Sequence, residues 1–416
     1  MTVEIAGMSV VTPIGIGVDA FTEALKKGDS NFSILESSLE DQSFEFPIGK
    51  VDDFELKTMV KELPLPEDII KKARRVRNVS RGVSFGVYSV LDAWANAQLH
   101  EVEIDTSKVA IVACGNNFQR GNQMNIQEKY RNKLKHLNIN YGLNFLDTDI
   151  VGITSELLNV RGEGYTIGAA SASGNMGLVQ GARLIESGDY DLVIVVAPMM
   201  EMSLYEYVGF TEMGAMASLK EGKDPSAICR PFDKEHSGFV FGENAGCMIL
   251  ESTEHLEKRK AKSWGKIKGT GVFLDGNRNP NPSMEGESEA MKKALLKAEV
   301  SADQMDYINM HGSSSPLGDR TEVDAIQNVG LKNAWANSTK SLTGHGVVAA
   351  GLVEAIASTI QLNEGFVHRS KNLDEPIESK VKWAQEKEEC PELKWAITNS
   401  YGFGGINTSI IIKNEN

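Results

Sequence analysis

The chain has 416 residues, 41% of them hydrophobic and 24% charged, with a formal net charge of -14. This is ordinary globular composition, enough for one large α/β unit or a few domain-sized ones, and the negative charge argues against nucleic acid or an anionic membrane as the main partner. No run approaches the roughly 18 apolar residues of a membrane span, and residues 1–9 lack the basic-then-apolar plan of a signal peptide, so the expectation is a cytoplasmic protein.

In chain order, residues 3–6 are β-rich and break at Gly7. Asp19 can cap a helix that places Phe21, Ala24 and Leu25 on one face before Gly28 ends it. A polar, irregular insertion is expected over residues 30–67. Residues 81–99 read as helix and 109–113 as a buried strand ending at Gly115. A helix over 177–185, stopped by Gly188, leads into a strand at 192–197. The second part repeats the alternation: a strand near 247–250, a helix at 290–297, and strands at 307–310 and 396–399. Strands alternating with helices predict a mostly parallel, covered sheet, and the two βα-rich halves predict a duplicated core, divided at residues 1–252 and 253–416. Cys114, Cys229, Cys247 and Cys390 have neither metal-ligand spacing nor disulfide density and read as reduced, mostly structural thiols, with no metal site.

Four segments could carry chemistry. In Ala169-Ala170-Ser171-Ala172-Ser173-Gly174, small residues permit a sharp strand-to-helix turn that sets Ser171 at a helix N-terminus, where amides favour negative charge; an N-cap serine is the plainer alternative. In Asn309-Met310-His311-Gly312-Ser313-Ser314-Ser315-Pro316, a histidine follows a buried strand and precedes a hydroxyl-rich loop, at the strand end where open α/β sheets bind ligands. It could equally cap the strand. Lys340 stands five residues before His345 with Gly344 between them, a spacing that suits a tight loop entering one pocket, or else a solvated lysine and a capping histidine. Tyr401-Gly402-Phe403-Gly404-Gly405 is a glycine-rich turn in which Phe403 could move as a gate.

Taken together and in order, these segments resemble the elongating β-ketoacyl-acyl carrier protein synthases. The pattern His-Gly-Thr-x-Thr-Pro-x-Gly-Asp is matched by His311, Gly312, Pro316, Gly318 and Asp319, with serines at 313 and 315. Lys340, Gly344 and His345 match Lys-x-x-x-Gly-His, and Gly402 to Gly405 with Asn407 match the closing Gly-Phe-Gly-Gly-x-Asn. Arg230-Pro231-Phe232-Asp233, Gly238 and Gly242-Glu243 match a further signature, and the likeness begins at Gly7 with Thr12-Pro13-Ile14-Gly15.

The resemblance implies a thiolase-like five-layered α-β-α-β-α core from two duplicated halves. It also implies a homodimer, no bound cofactor, and a tunnel for the phosphopantetheine arm of an acyl carrier protein. The family's catalytic set is cysteine, histidine, histidine; here His311 and His345 remain, and Ser171 stands at the cysteine position. Lys340, paired with Glu354, is implied to hold the histidine loops and tune their protonation. Ser313 and Ser315 stand where threonines contact the pantetheine, and Ile406 replaces the usual threonine. An alcohol stays protonated without a dedicated base, whereas a cysteine thiol near pKa 8.5 is readily lowered, so covalent acyl loading is the step this serine should weaken. Decarboxylating a malonyl thioester needs no nucleophile, because two neutral histidines can stabilise the enolate. The combination is similar to the synthase-like decarboxylases of polyketide β-branching cassettes, which turn malonyl carrier protein into acetyl carrier protein for a partner resembling hydroxymethylglutaryl-coenzyme A synthase. A condensing synthase that uses Ser171 as nucleophile and a non-catalytic dimer partner are the competing expectations. An acidic carrier would need a basic dock, and Lys71, Lys72, Arg74, Arg75 and Arg77 form the densest basic run, which a solvated surface would also explain.

Overall fold

A computed structural model describes residues 3–219, 222–278 and 281–415. Its frame is one large mixed sheet in which two sets of five strands meet edge to edge. In one set Val3–Thr12 is followed across the sheet by Ala245–Ser252, Leu192–Ala197, Val109–Cys114 and Gly164–Ile167. In the other, Lys266–Leu274 is followed by Ile406–Lys413, Trp395–Gly402, Tyr307–Asn309 and Trp335–Asn337. Within each set the spatial order is first, fifth, fourth, second, third, and the innermost strands join through the antiparallel pairs Val3 with Ile267 and Glu4 with Lys266. The repeat is therefore one of topology as well as of composition.

Three apolar cores separate the layers. The helices Ser173–Ser187 and Ala350–Glu364 lie side by side in the middle. The second is buried continuously from Ala350 to Leu362, as a helix covered on all sides must be. Arg81–Asn96 and Asp149–Leu158 cover the outer face of the first strand set, and Met284–Ala298 with Pro316–Val329 cover that of the second. Side chains such as Phe21, Phe85 and Leu91 are fully enclosed, each contributing about 1.5–3 kcal/mol through burial. Among the described residues no helix is long and apolar enough to cross a membrane. Cys114, Cys229 and Cys247 are buried free thiols, while Cys390 is partly exposed.

Several expectations are corrected. The sheet is mixed rather than mostly parallel, because Trp395–Gly402 and Ile406–Lys413 form an antiparallel hairpin and Ala245–Ser252 runs antiparallel to both its neighbours. Gly7 does not break the first strand. The register shifts between Ile5 and Gly7, and a Cβ at Gly7 would lie 2.6 Å from the Ala93 carbonyl, so this glycine admits the covering helix. Gly17 rather than Asp19 occupies the N-cap of Val18–Lys27, and the helix from Arg81 ends at Asn96. The region expected to be irregular contains an antiparallel hairpin, Phe32–Leu39 with Gln42–Gly49. The first of these strands shows its period of two in burial rather than in residue type, Ser33, Leu35 and Ser37 being half-buried while Ile34, Glu36 and Ser38 are exposed, so its sequence does not announce a strand.

Candidate active site

Each central helix is entered through a tight 3₁₀ turn that opens on a left-handed residue. Ala170 (φ 48°) begins Ala170–Ala172, and Val347 (φ 50°) begins Val347–Ala349. A β-branched residue in this region is strained, and such strain is characteristic of functional sites. Ser171 lies on the first turn, two residues ahead of the α-helix. It does not cap that helix. Ser173 makes the local bonds instead, its Oγ accepting from the Ala169 N–H at 2.9 Å and donating to the Ala170 carbonyl at 2.6 Å. Ser171 is held through its backbone, its carbonyl accepting from Ser400 Oγ at 2.9 Å. Gly402 lets the hairpin approach this turn, since a Cβ there would stand 2.3 Å from the Ala169 carbonyl.

His311 follows the strand Tyr307–Asn309. Its backbone N–H and that of Gly312 both donate to the Glu322 carboxylate, each at 2.8 Å, which anchors the loop to the helix Pro316–Val329. Behind the ring lies Lys340, buried, whose Nζ bonds the His311 carbonyl, stands 3.4 Å from His311 Nδ1 and forms an ion pair with Glu354. An ammonium can only donate, so Nδ1 is the acceptor and the proton sits on Nε2. His345 is fixed in the same tautomer by a different partner, because the Val347 N–H donates to its Nδ1 at 3.1 Å. The two imidazoles are 5.5 Å apart at their centroids and nearly perpendicular, with Phe239 packed edge-on against His345.

Burial, reinforced by the charge on Lys340, holds both histidines well below their ordinary pKa, so each is neutral at neutral pH. The neighbouring His345 pushes His311 in the same direction. Burial raises Glu354 to about 7 against the pull of Lys340, and Glu322 to about 7 against its backbone donors. The result is a pair of neutral imidazoles lining one cavity, each with its Nδ1 engaged and its proton on Nε2.

Ser171, His311, His345, Ser313, Ser315 and Phe403 all line one cavity of about 220 Å³. Ser313 and Ser315 share a hydroxyl hydrogen bond at 2.9 Å. Phe403 is 41% exposed and also borders a smaller cavity of about 150 Å³, whose lining includes Ser171, His345, Phe210 and Phe239. Lys340 and Glu354 lie behind the histidines and line neither cavity. Glu322 and Glu287 were not singled out from sequence, and Tyr401 was named only as the start of the glycine-rich turn, with no role. For Glu322 the signal was present: Asp319, Glu322, Val323 and Ile326 share the buried face of one helix, and acids on an apolar face demand partners.

Residues 1–256 match the family described as "Beta-ketoacyl synthase, N-terminal domain", and residues 264–374 match "Beta-ketoacyl synthase, C-terminal domain". The chain belongs to the β-ketoacyl synthase family and has its thiolase-like fold. Among relatives, it is 34% identical over 412 residues to the polyketide biosynthesis malonyl-ACP decarboxylase PksF of Bacillus subtilis (strain 168), covering 99% of this chain and 96% of that protein. It is 30% identical over 427 residues to the 3-oxoacyl-acyl-carrier-protein synthase 2 of Vibrio cholerae serotype O1, with 99% and 98% covered. A β-ketoacyl synthase structure from Burkholderia phymatum STM815 superposes with a TM-score of 0.84 at 22% identity, covering 100% of both chains. The ishigamide ketosynthase/chain length factor gives 0.85 at 22% identity, covering 100% of this chain and 99% of that one.

Proposed function

We propose that this protein decarboxylates malonyl carrier protein to acetyl carrier protein. The observation that carries the reading is the tautomeric state of the two imidazoles. Each has its Nδ1 occupied as an acceptor and its Nε2–H left free, by the Lys340 ammonium in one case and the Val347 amide in the other. Two neutral donors converging on a thioester oxygen stabilise the enolate that forms when carbon dioxide leaves. The same state disfavours acyl loading, because an imidazole already protonated at Nε2 and engaged at Nδ1 cannot take the hydroxyl proton of Ser171. The sequence resemblance, which puts Ser171 at the family's cysteine position, and the likeness to a malonyl-ACP decarboxylase support the same direction.

In this mechanism the carrier's phosphopantetheine arm enters the larger cavity along Ser313 and Ser315, and Phe403 gates the end nearest Ser171. Lys340 and Glu354 hold the His311 loop and keep its ring neutral. The acidic carrier docks on the basic run, where Lys71, Lys72, Arg74, Arg75 and Arg77 are exposed on and after the helix Glu67–Ala73, and Lys71 alone of the five forms an ion pair among the described residues, with Glu67. The protein acts as a homodimer in a β-branching cassette, handing acetyl carrier to a carbon-carbon bond-forming partner. Incubation with malonyl carrier protein, weighing both proteins by mass spectrometry, tests the reading. Acetyl carrier without acyl-enzyme is expected, and efficient acetoacetyl formation by this protein alone would overturn it.

A further inference from the structure

Glu287 is a carboxyl in the wall of the reaction cavity with no assigned partner. It lies in the first turn of the helix Met284–Ala298, whose N-cap Ser283 accepts from the Gly286 N–H at 3.1 Å. A Cβ at Gly286 would come within 1.8 Å of Asp275 Oδ1 and 2.5 Å of Asn407 Nδ2, so that side-chain pair abuts the helix start just ahead of Glu287. Glu287 is 1% exposed and lines the same cavity as His311 and His345, and its Oε2 is buried without a hydrogen bond. Tyr401 lines that cavity too, with its ring 5.5 Å from His311 and its hydroxyl likewise buried and unpartnered. Two orphaned polar groups in one cavity wall, each at least nine-tenths buried, mark a place built for something the free chain does not contain.

The proposed decarboxylation, on which this inference rests, leaves one chemical requirement unmet. When the bond to the carboxylate breaks and carbon dioxide departs, the electron pair enters the enolate, and the α-carbon must then take a proton to become a methyl group. The histidines cannot supply it, since they are neutral donors whose N–H groups hold the oxyanion. Ser171, Ser313 and Ser315 are alcohols, too weakly acidic. Asp275 lines the cavity but is committed to Asn407 at 2.7 Å.

We propose that Glu287 is the proton donor that quenches the enolate carbon, with the Tyr401 hydroxyl in the same cavity wall guiding the transfer. The carboxyl O–H breaks, the new C–H bond forms, and the enolate electrons return to the thioester carbonyl. The resulting carboxylate recovers its proton from water at the cavity mouth. Protonation of the resting acid is consistent with its surroundings. Burial raises Glu287 well above the ordinary carboxyl range, and Glu322, Asp275 and Asp319 oppose its ionisation. The helix N-terminus pulls the other way but is outweighed. Tyr401 also stays protonated, driven up by burial and by Glu322 and Glu287.

The test is single-turnover conversion of malonyl carrier protein in an equal mixture of light and heavy water, with the deuterium content of the acetyl methyl read by mass spectrometry. Glu287→Gln should slow acetyl formation on the order of 10²-fold while the carrier still binds, and should change the ratio of hydrogen to deuterium delivered, because bulk water becomes the donor. Glu287→Asp should recover part of the rate with the parent's ratio. Tyr401→Phe should slow the reaction roughly tenfold and shift the ratio, and it carries the test should Glu287→Gln fail to fold. A folded Glu287→Gln with the parent's ratio overturns the proposal, whether its rate is unchanged or merely reduced, since a reduced rate alone marks a structural role. A parent that makes no acetyl carrier removes the underlying decarboxylation, and the proposal with it. A parent that does, beside an indistinguishable Glu287→Gln, refutes the proton donor alone.

Discussion

His345→Ala separates chemistry from scaffolding within one residue. The substitution removes the Nε2–H of a ring that lines the cavity and also the Nδ1 that accepts the Val347 N–H at 3.1 Å. Losing one preorganised donor to an oxyanion costs about 2.7–4 kcal/mol, which is roughly 10²- to 10³-fold in the chemical step. Orphaning a buried amide costs about 1–3 kcal/mol of stability, and here that amide belongs to a residue already at φ 50°. Single-turnover decay of malonyl carrier protein measures the first cost and denaturant unfolding the second. His345→Asn, whose amide can both donate and accept, should win back at least about tenfold in rate and part of the stability. His311→Ala should slow the step by a similar factor. The double variant should fall by less than the product of the singles, because both donors serve one oxyanion. A folded, carrier-binding His345→Ala that retains the parent rate to within a few-fold would refute the two-donor argument.

Ser171→Cys should accept an acyl group from acyl carrier or acyl-coenzyme A, detected as a mass increase, while Ser171→Ala should lose no more than about tenfold in decarboxylation because no covalent step depends on it. Gly402→Ala should destabilise the protein by about 1–3 kcal/mol and slow the reaction, since its Cβ would meet the Ala169 carbonyl at 2.3 Å and push the hairpin off the Ser171 turn; unchanged melting and rate would contradict that packing. His368 is held down to about 4 by burial, so below pH 6.5 the unfolded chain binds a proton that the folded one refuses. Its contribution is therefore fully present above pH 6.5 and lost as pH falls toward 4, at up to about 1.4 kcal/mol per unit, and His368→Gln should lessen but not abolish the slope in unfolding titrations at pH 7, 6 and 5, because His311 and His345 are held down as well.

Much of this architecture was legible because its signals are local. Buried strands such as Leu192–Ala197 are unbroken apolar runs, and Gly28 and Gly188 end helices with left-handed conformations. Strand direction was not legible, since whether two neighbours run parallel depends on how the chain returns across the sheet, and a hairpin as late as 395–413 sets that for its half. That the hydroxyl at 173 rather than 171 bonds the local backbone was also beyond pattern, for both serines suit the motif and the left-handed Ala170 that shapes the turn leaves no trace in residue type. Residues acting through backbone, such as Glu322 gripping two amides of the His311 loop, leave a weaker trace than residues facing a ligand. Glu287 leaves less still. An acid in the first turn of a helix reads as favourable dipole chemistry, and its burial becomes visible only when Gly286 closes against Asp275.

The repeated strand order has a consequence for how the protein comes into being. Ser171 belongs to the first strand set and both imidazoles to the second, and the turns entering the two central helices touch one another. Neither repeat can therefore form a reaction centre during its own folding. The cavity exists only once contacts between residues far apart in sequence have closed, and such contacts are the slow ones to make. The Ser171 turn is no exception, since Ser400 and Gly402 of the second set hold and pack it, so catalytic competence needs both strand sets together.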